Sequence, residues 1–269
     1  MFSLHAHSNY SLLQSTITID ELVAFAKNSG SSYVALTDVN AMYGLIEFYK
    51  TAQENNLKPI LGTFIDDPGD KNLNALFIAK NNEGYSRICQ IITTRKLKDG
   101  FSLPELFKEP LENLFVITSS IELLKQIRID LSLRHNLFVE LVVTKKTKRK
   151  TRILYEFAKE NRLQLVATHP AYFGNEKDFL LHKTITAIRL NTTLANLDEA
   201  NFIDEEFYLK SPKELEETWK GLPEAISNSD KIAKQCDINL ELGKHKFPSF
   251  PKPNNEESYS LLWKITFEG

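Results

Sequence analysis

Apolar runs of six to nine residues recur along the first 170 positions, separated by stretches in which apolar residues return every three or four places. The runs read as β-strands at 2–7 (FSLHAH), 32–38 (SYVALTD), 57–65 (LKPILGTFI), 74–80 (NALFIAK), 114–120 (LFVITSS), 137–143 (LFVELVV) and 163–169 (LQLVATH). Most are continuously apolar, as expected of parallel strands covered by helices on both faces. Helical periodicity fills 18–30, 43–55, 83–94, 121–129, 147–162 and 176–190. Thr18 and Glu21 have the spacing of a capping box, in which the hydroxyl accepts the third helical N–H and the carboxylate reaches back. Gly30 suits the left-handed residue that follows a helix. Strand-then-helix repetition predicts an α/β fold with a parallel sheet, open or closed into a barrel. Seven strands with ionisable residues at their carboxyl ends favour the barrel.

Beyond residue 190 the pattern changes. Ser211 and Glu214 repeat the capping-box spacing at the head of 211–219, and 222–237 is an amphipathic helix with Pro223 near its first turn. Residues 244–257 carry three prolines and no periodicity, which predicts an extended linker, and 258–269 start a new amphipathic helix. The expected organisation is a barrel core over 1–195, a helical extension packed on it over 196–243, and at 244–269 a linker and the start of a further, truncated domain.

Composition narrows the classes. At 42% hydrophobic and 25% charged the chain is ordinary for a soluble globular protein. Its two cysteines, Cys89 and Cys236, are far apart, so neither a disulfide framework nor a Cys-type zinc motif is expected. A reducing cytoplasm fits. No apolar run approaches the roughly 18–20 residues of a membrane span, and the start lacks a signal-peptide pattern. The formal net charge of −2 excludes a globally basic nucleic-acid binder. The local exception is KKTKRK: Lys145, Lys146, Lys148, Arg149 and Lys150 oppose the dipole of the helix they begin. They are candidate phosphate contacts, with a solvated helix start as the plainer reading.

The candidate chemistry lies at strand ends. His5 and His7 are one residue apart on an expected strand, so both imidazoles share a face and can reach one point. Asp38 and His169 end two other strands. Two histidines and an aspartate could hold a single zinc, with His169 as a fourth ligand. The plainer readings are imidazoles hydrogen-bonded in a polar cleft, an Asp38 that organises the following turn, and a His169 kept extended by Pro170. His182, four residues past Asp178, is expected to pair with it along a helix.

Several segments together carry a resemblance. LHAHSNYSLL, ALTDVNAMYGLIEFYKTA at 35–52, KPILG at 58–62, AKNNEGY at 79–85 and the tail YLKSPKELEETW…LPEAISNSDKIAKQCDINLELGKHKFPSFP form an ordered set. The set resembles the PHP (polymerase and histidinol phosphatase) domain of bacterial DNA polymerase III alpha subunits. The resemblance implies a distorted seven-stranded (β/α)7 barrel with a cluster of three metals at the strand ends. Matched position by position, His5, His7 and Asp38 fall on family ligands. Val39, Phe64, Asn74, Ser120, Thr144, Pro170 and Tyr172 fall where the family places its other ligands. Val, Phe and Pro have no donor atom, and the neutral polar residues are poor ligands. The set therefore accommodates at most one ion, zinc or manganese, on His5, His7 and Asp38, and no cofactor is expected in this segment. For the parent chain the resemblance implies magnesium and a DNA-directed DNA polymerase (nucleotidyltransferase) activity. It also implies contacts with the polymerase thumb and palm, a proofreading exonuclease subunit as a further partner, DNA bound through the parent chain, and no membrane. The expected function is a non-catalytic scaffold in DNA replication. The alternative is a working metal-dependent phosphoesterase or 3′–5′ exonuclease using His5, His7, Asp38 and His169, and a third reading is a stand-alone binding module.

Overall fold

The computed structural model describes residues 2–245 and 256–268. The chain divides into two compact units, the first ending at Asn239 and the second starting at Leu240. The first unit is built on a six-stranded sheet whose strands lie in chain order: β1 (Tyr33–Leu36), β2 (Lys58–Asp66), β3 (Asn74–Ala79), β4 (Leu114–Thr118), β5 (Leu137–Leu141) and β6 (Gln164–Ala167). Every residue of β1, β4 and β5 is buried, in line with their largely apolar sequences, and that includes Glu140 on β5.

Two expectations about the sheet are corrected. The sheet is not all parallel: β1–β2, β4–β5 and β5–β6 are parallel, but β3 runs antiparallel to both β2 and β4. Residues 67–73 are too few for a parallel crossover, which needs about a dozen or more. They fold instead into a tight turn, in which Asp67 Oδ1 accepts the N–H of Gly69 at 2.8 Å and the Asp67 N–H reaches Leu73 O at 2.9 Å.

The seven-strand count is also not met, because residues 2–7 contribute one isolated bridge, Ala6 to Ala171, rather than a strand. Two side chains divert the ladder. The His5 N–H goes to Ser3 Oγ at 3.1 Å and the Ala6 N–H to Thr37 Oγ1 at 3.1 Å. What remains still ties both sheet edges: Thr37 N–H donates to Ala6 O at 2.8 Å, and His7 N–H donates to Ala171 O at 3.0 Å. The sheet curls, and this segment runs between its first and last strands.

Helices cover the sheet. They are α1 (Ile19–Asn28), α2 (Leu45–Glu54), α3 (Asn82–Leu97), α4 (Ile121–Gln126), α5 (Leu131–Asn136), α6 (Lys148–Glu160), α7 (Phe179–Arg189), α8 (Pro212–Trp219) and α9 (Pro223–Gln235). Thr18 accepts the Glu21 N–H at 3.2 Å as the spacing predicts, and Ser211 and Glu214 complete a reciprocal capping box. The stretch expected as one helix over 121–129 is shorter, and a second helix follows it. Asp130 accepts the Leu133 N–H at 2.9 Å and starts α5, a cap the periodicity alone hides. On α9, Asn228 Nδ2 donates to Leu165 O at 2.8 Å and Ser229 Oγ to Ala167 O at 2.7 Å. These bonds satisfy carbonyls along β6, whose far edge no further strand pairs among the described residues.

In the second unit α10 (Ser258–Glu268) is a helix with Trp263 and Phe267 rings 4.2 Å apart. Most of the expected linker, 246–255, lies outside the described residues.

Candidate functional site

The carboxyl end of β1 delivers Asp38 into a loop of serines. Ser8 donates both its N–H (2.6 Å) and its Oγ (2.8 Å) to the Asp38 carboxylate, and Ser11 Oγ adds a third bond at 2.6 Å. Ser11 Oγ in turn accepts the Val39 N–H at 3.0 Å. Burial pushes the Asp38 pKa up to about 6, against the lowering effect of the Ser11 and Ser8 bonds. Both carboxylate oxygens are thus engaged in folding residues 8–11 around β1. Val39 makes an isolated bridge to Phe64 on β2.

His5 and His7 do converge. Their ring centroids are 4.8 Å apart in an edge-to-face arrangement. The space they face holds aromatic rings: Phe64 stacks on His5 at 5.6 Å and stands edge-on to His7 at 6.0 Å, and Tyr172 lies 4.3 Å from His7. His7 is 0% exposed, and neither of its ring nitrogens makes a well-formed hydrogen bond among the described residues. Burial, then the neighbouring His5, push its pKa well below the usual 6.5, so the ring is neutral at pH 7. Burial also raises the Tyr172 pKa, with the charges of Glu140 and Asp66 acting in the same direction.

The partner of His5 is a residue that the sequence reading passed over. His5 Nδ1 lies 2.7 Å from Glu140 Oε1 on β5, and Thr168 Oγ1 donates to the same oxygen at 2.7 Å. Burial acts to raise the Glu140 pKa, but the charge and hydrogen bond of His5, with bonds from Thr168 and Ser119, outweigh it and hold the carboxyl below the usual range. The carboxylate oxygen faces His5 Nδ1, and Nε2 makes no hydrogen bond among the described residues. The available signal was a lone charge inside LFVELVV: a charge in a buried strand requires a partner.

The remaining candidates scatter. His169 is buried after β6, where its Nε2 lies 3.1 Å from Tyr208 O and its N–H donates to Ser3 Oγ at 3.0 Å. Burial, reinforced by the Lys210 charge, lowers its pKa to about 4. Asn74 Nδ2 donates to Lys71 O at 2.9 Å. Ser120 caps α4 by accepting the Leu123 N–H at 3.0 Å. Thr144 donates to Asp204. His182 does not pair with Asp178: its Nε2 meets Gln14 O at 2.9 Å, while Asp178 accepts from Asn175 Nδ2 at 2.6 Å. Lys145, Lys146, Lys148, Arg149 and Lys150 are all exposed.

A cleft of about 230 Å³ opens over this region, lined by His5, Phe64, Asn74, Glu140, Lys150, Pro170, Tyr172 and Phe207. Among the described residues, no three His, Cys, Asp or Glu side chains come together as a metal site. The donor set does not fit a three-metal cluster. What it offers is a pair of imidazoles on which, among the described residues, His5 Nε2 and both His7 nitrogens make no hydrogen bond.

An α/β sheet with its ionisable residues at the carboxyl ends of its strands belongs to the class of scaffold that receives ligands there. Within that class, residues 3–159 match the PHP domain, and the chain belongs to that family. Curated relatives include the DNA polymerase III subunit alpha of Halalkalibacterium halodurans, 30% identical over 285 residues that cover 99% of this chain and 25% of the relative. The subunit alpha of Pseudomonas aeruginosa is 30% identical over 294 residues, with 99% and 25% covered. That of Bacillus subtilis is 28% identical over 292 residues, with 99% and 26% covered. The chain spans about a quarter of the length of the curated relatives it matches. Among solved structures, an amidohydrolase from Chromobacterium violaceum with bound sulfate is similar at a TM-score of 0.42 and 13% identity, covering 65% of this chain and 88% of that one. Among the described residues no helix is long and apolar enough to cross a membrane.

Proposed function

We propose that this PHP domain is a segment of a DNA polymerase III alpha subunit and serves DNA replication as a scaffold for the rest of that chain, not as a hydrolase. The observation that carries the reading is Phe64. Its ring fills the space that His5 and His7 share, at the position where the resemblance puts a carboxylate ligand. Asp38, the remaining acidic candidate, has both oxygens taken up by Ser8 and Ser11. In the parent polymerase the domain packs on thumb and palm, with a proofreading exonuclease subunit as a further partner, and the magnesium-dependent chemistry belongs to the polymerase domains. The cytoplasm is the compartment this role requires.

A second reading, a phosphoesterase or 3′–5′ exonuclease, draws support from the unpartnered nitrogens of His5 and His7 and from the Glu140 bond that leaves His5 Nε2 free. Those atoms would hold one zinc or manganese ion, which would activate a water. The test is the metal content of protein purified without chelator, followed by hydrolysis of p-nitrophenyl phosphate with added manganese. The scaffold reading expects substoichiometric metal and no turnover above that of His7→Ala. Stoichiometric metal with turnover abolished in His7→Ala reverses it.

A further inference from the structure

Residues 145–152 carry six exposed cations on one turn and the start of α6: Lys145, Lys146, Lys148, Arg149, Lys150 and Arg152. Arg152 pairs with Glu156 at 2.9 Å, and among the described residues the other five are in no ion pair. The helix has no acidic residue in its first turn and no side-chain cap. The positive end of its dipole therefore adds to the cations instead of offsetting them. Composition does not account for the cluster, since the chain as a whole carries a formal net charge of −2.

The base under these charges is rigid. Thr147 Oγ1, which could have capped α6, donates to Val142 O at 2.7 Å and accepts the Thr144 N–H at 2.8 Å. Thr151 is buried and donates to the same Val142 carbonyl. Thr144 donates to Asp204, and the Lys145 N–H donates to Glu206 Oε1 at 2.8 Å. The turn is held from beneath while its five unpaired cations face outward.

We infer that this ridge binds the phosphate backbone of duplex DNA without regard to sequence. Four of the five unpaired cations are lysines, which meet phosphates as flexible point charges and gain affinity through counterion release. A membrane surface is the poorer match, because a helix that lies on lipid presents a broad apolar face. Here Leu154 and Ala158 are buried, and Ile153, 48% exposed, is the one large apolar side chain of α6 among the strongly exposed ones. A protein partner would want aromatic or aliphatic anchors at the centre of its interface, and the ridge has none. That the ridge takes a polyanion stands on its own geometry. The choice of DNA rests on the polymerase reading above.

The test is fluorescence anisotropy of the 269-residue chain with a short labelled duplex of mixed sequence, between about 50 and 200 mM salt. The wild type is expected to bind, with the logarithm of affinity falling linearly against the logarithm of salt. In the triple variant Lys145→Gln, Lys146→Gln, Lys148→Gln the slope becomes shallower by up to about 2.7, about 0.9 per contact removed, and low-salt binding weakens by about tenfold or more. The control variant Lys213→Gln, Lys220→Gln, Lys231→Gln removes three exposed lysines, one on α8, one just after it and one on α9, and should leave slope and affinity unchanged. Circular dichroism establishes that both variants stay folded. The inference is overturned by a wild type that does not bind, by equal losses in both triple variants, or by ridge-dependent binding to phosphatidylserine vesicles without binding to the duplex. None of these outcomes bears on metal content or phosphate hydrolysis, so the scaffold reading stands or falls separately.

Discussion

Two polar clusters sit two residues apart on β2, and they are resolved in opposite ways. At Asp66 every polar group finds a partner. Arg95 pairs with the carboxylate and donates its Nε–H to the Asp66 carbonyl at 2.7 Å. Asn40 donates its amide to the carboxylate at 2.9 Å and accepts the Asp66 N–H at 3.1 Å. At Phe64, by contrast, an aromatic ring packs against two buried imidazoles, and among the described residues His5 Nε2 and both His7 nitrogens have no hydrogen-bond partner. Interiors rarely leave buried polar atoms unpaired, and each costs about 1–3 kcal/mol. The comparison separates a joint from a site. The Asp66 cluster fastens β2 to α3 and to the loop after β1, whereas the imidazole cluster contributes one such bond, His5 to Glu140, and His7 adds none among the described residues.

The sharpest way to break the comparison is Arg95→Leu. It strands the Asp66 carboxylate in a largely buried position, and stability to urea should fall by about 3–5 kcal/mol. A fall within error would mean that Asp66 is no better served than the imidazoles.

Next in size is a pH effect. His169 has a folded pKa of about 4, below the ordinary imidazole value of 6.5. Its stabilising contribution is therefore fully present above pH 6.5 and is lost as the pH falls through 4, at most about 3 kcal/mol. His169→Gln, which keeps a donor for Tyr208 O, should show a shallower loss over that window in urea titrations at stepped pH. Asp38 acts in the opposite sense: its folded pKa of about 6 lies above its ordinary value of 3.8, so its contribution is lost as the pH rises through 6.

Ser11→Ala removes one bond to the Asp38 carboxylate and the acceptor for the Val39 N–H. It should cost about 2 kcal/mol, within the range for hydrogen bonds to charged groups. An unchanged midpoint would show that the serine loop is dispensable.

The smallest effect is the most diagnostic. His7→Leu exchanges an unpaired buried ring for an apolar side chain, and stability should change by less than about 1 kcal/mol, toward greater stability. Stabilisation of the wild type by added zinc or manganese that is absent in His7→Leu would place a metal among these rings and overturn the contrast with Asp66.

Reading the chain succeeded where structure is local. The strands from 33 onward, the caps at Thr18 and Ser211, and the convergence of His5 and His7 all follow from periodicity or spacing over a few residues. It failed where a partner comes from afar. Glu140 reaches His5 across 135 positions, and no pattern within LHAH or LFVELVV names that pairing. The serines that occupy Asp38 lie 30 and 27 positions earlier in the chain, not in the following turn that the sequence suggests it would organise.

By itself, then, the sequence determined most of the elements and the faces they bury, and that Val39, Phe64 and Pro170 bring no donor atom to the expected ligand positions, because side-chain chemistry and short-range periodicity are properties of the chain alone. Only the tertiary structure decided that β3 runs against its neighbours, that residues 2–7 tie two sheet edges without forming a strand, and that the Phe64 ring packs on both imidazoles while the Glu140 carboxylate takes His5 Nδ1. Strand direction and the partners of buried polar groups depend on chain segments brought together by packing. Each backbone or side-chain group bonds to whichever donor or acceptor the fold places within reach.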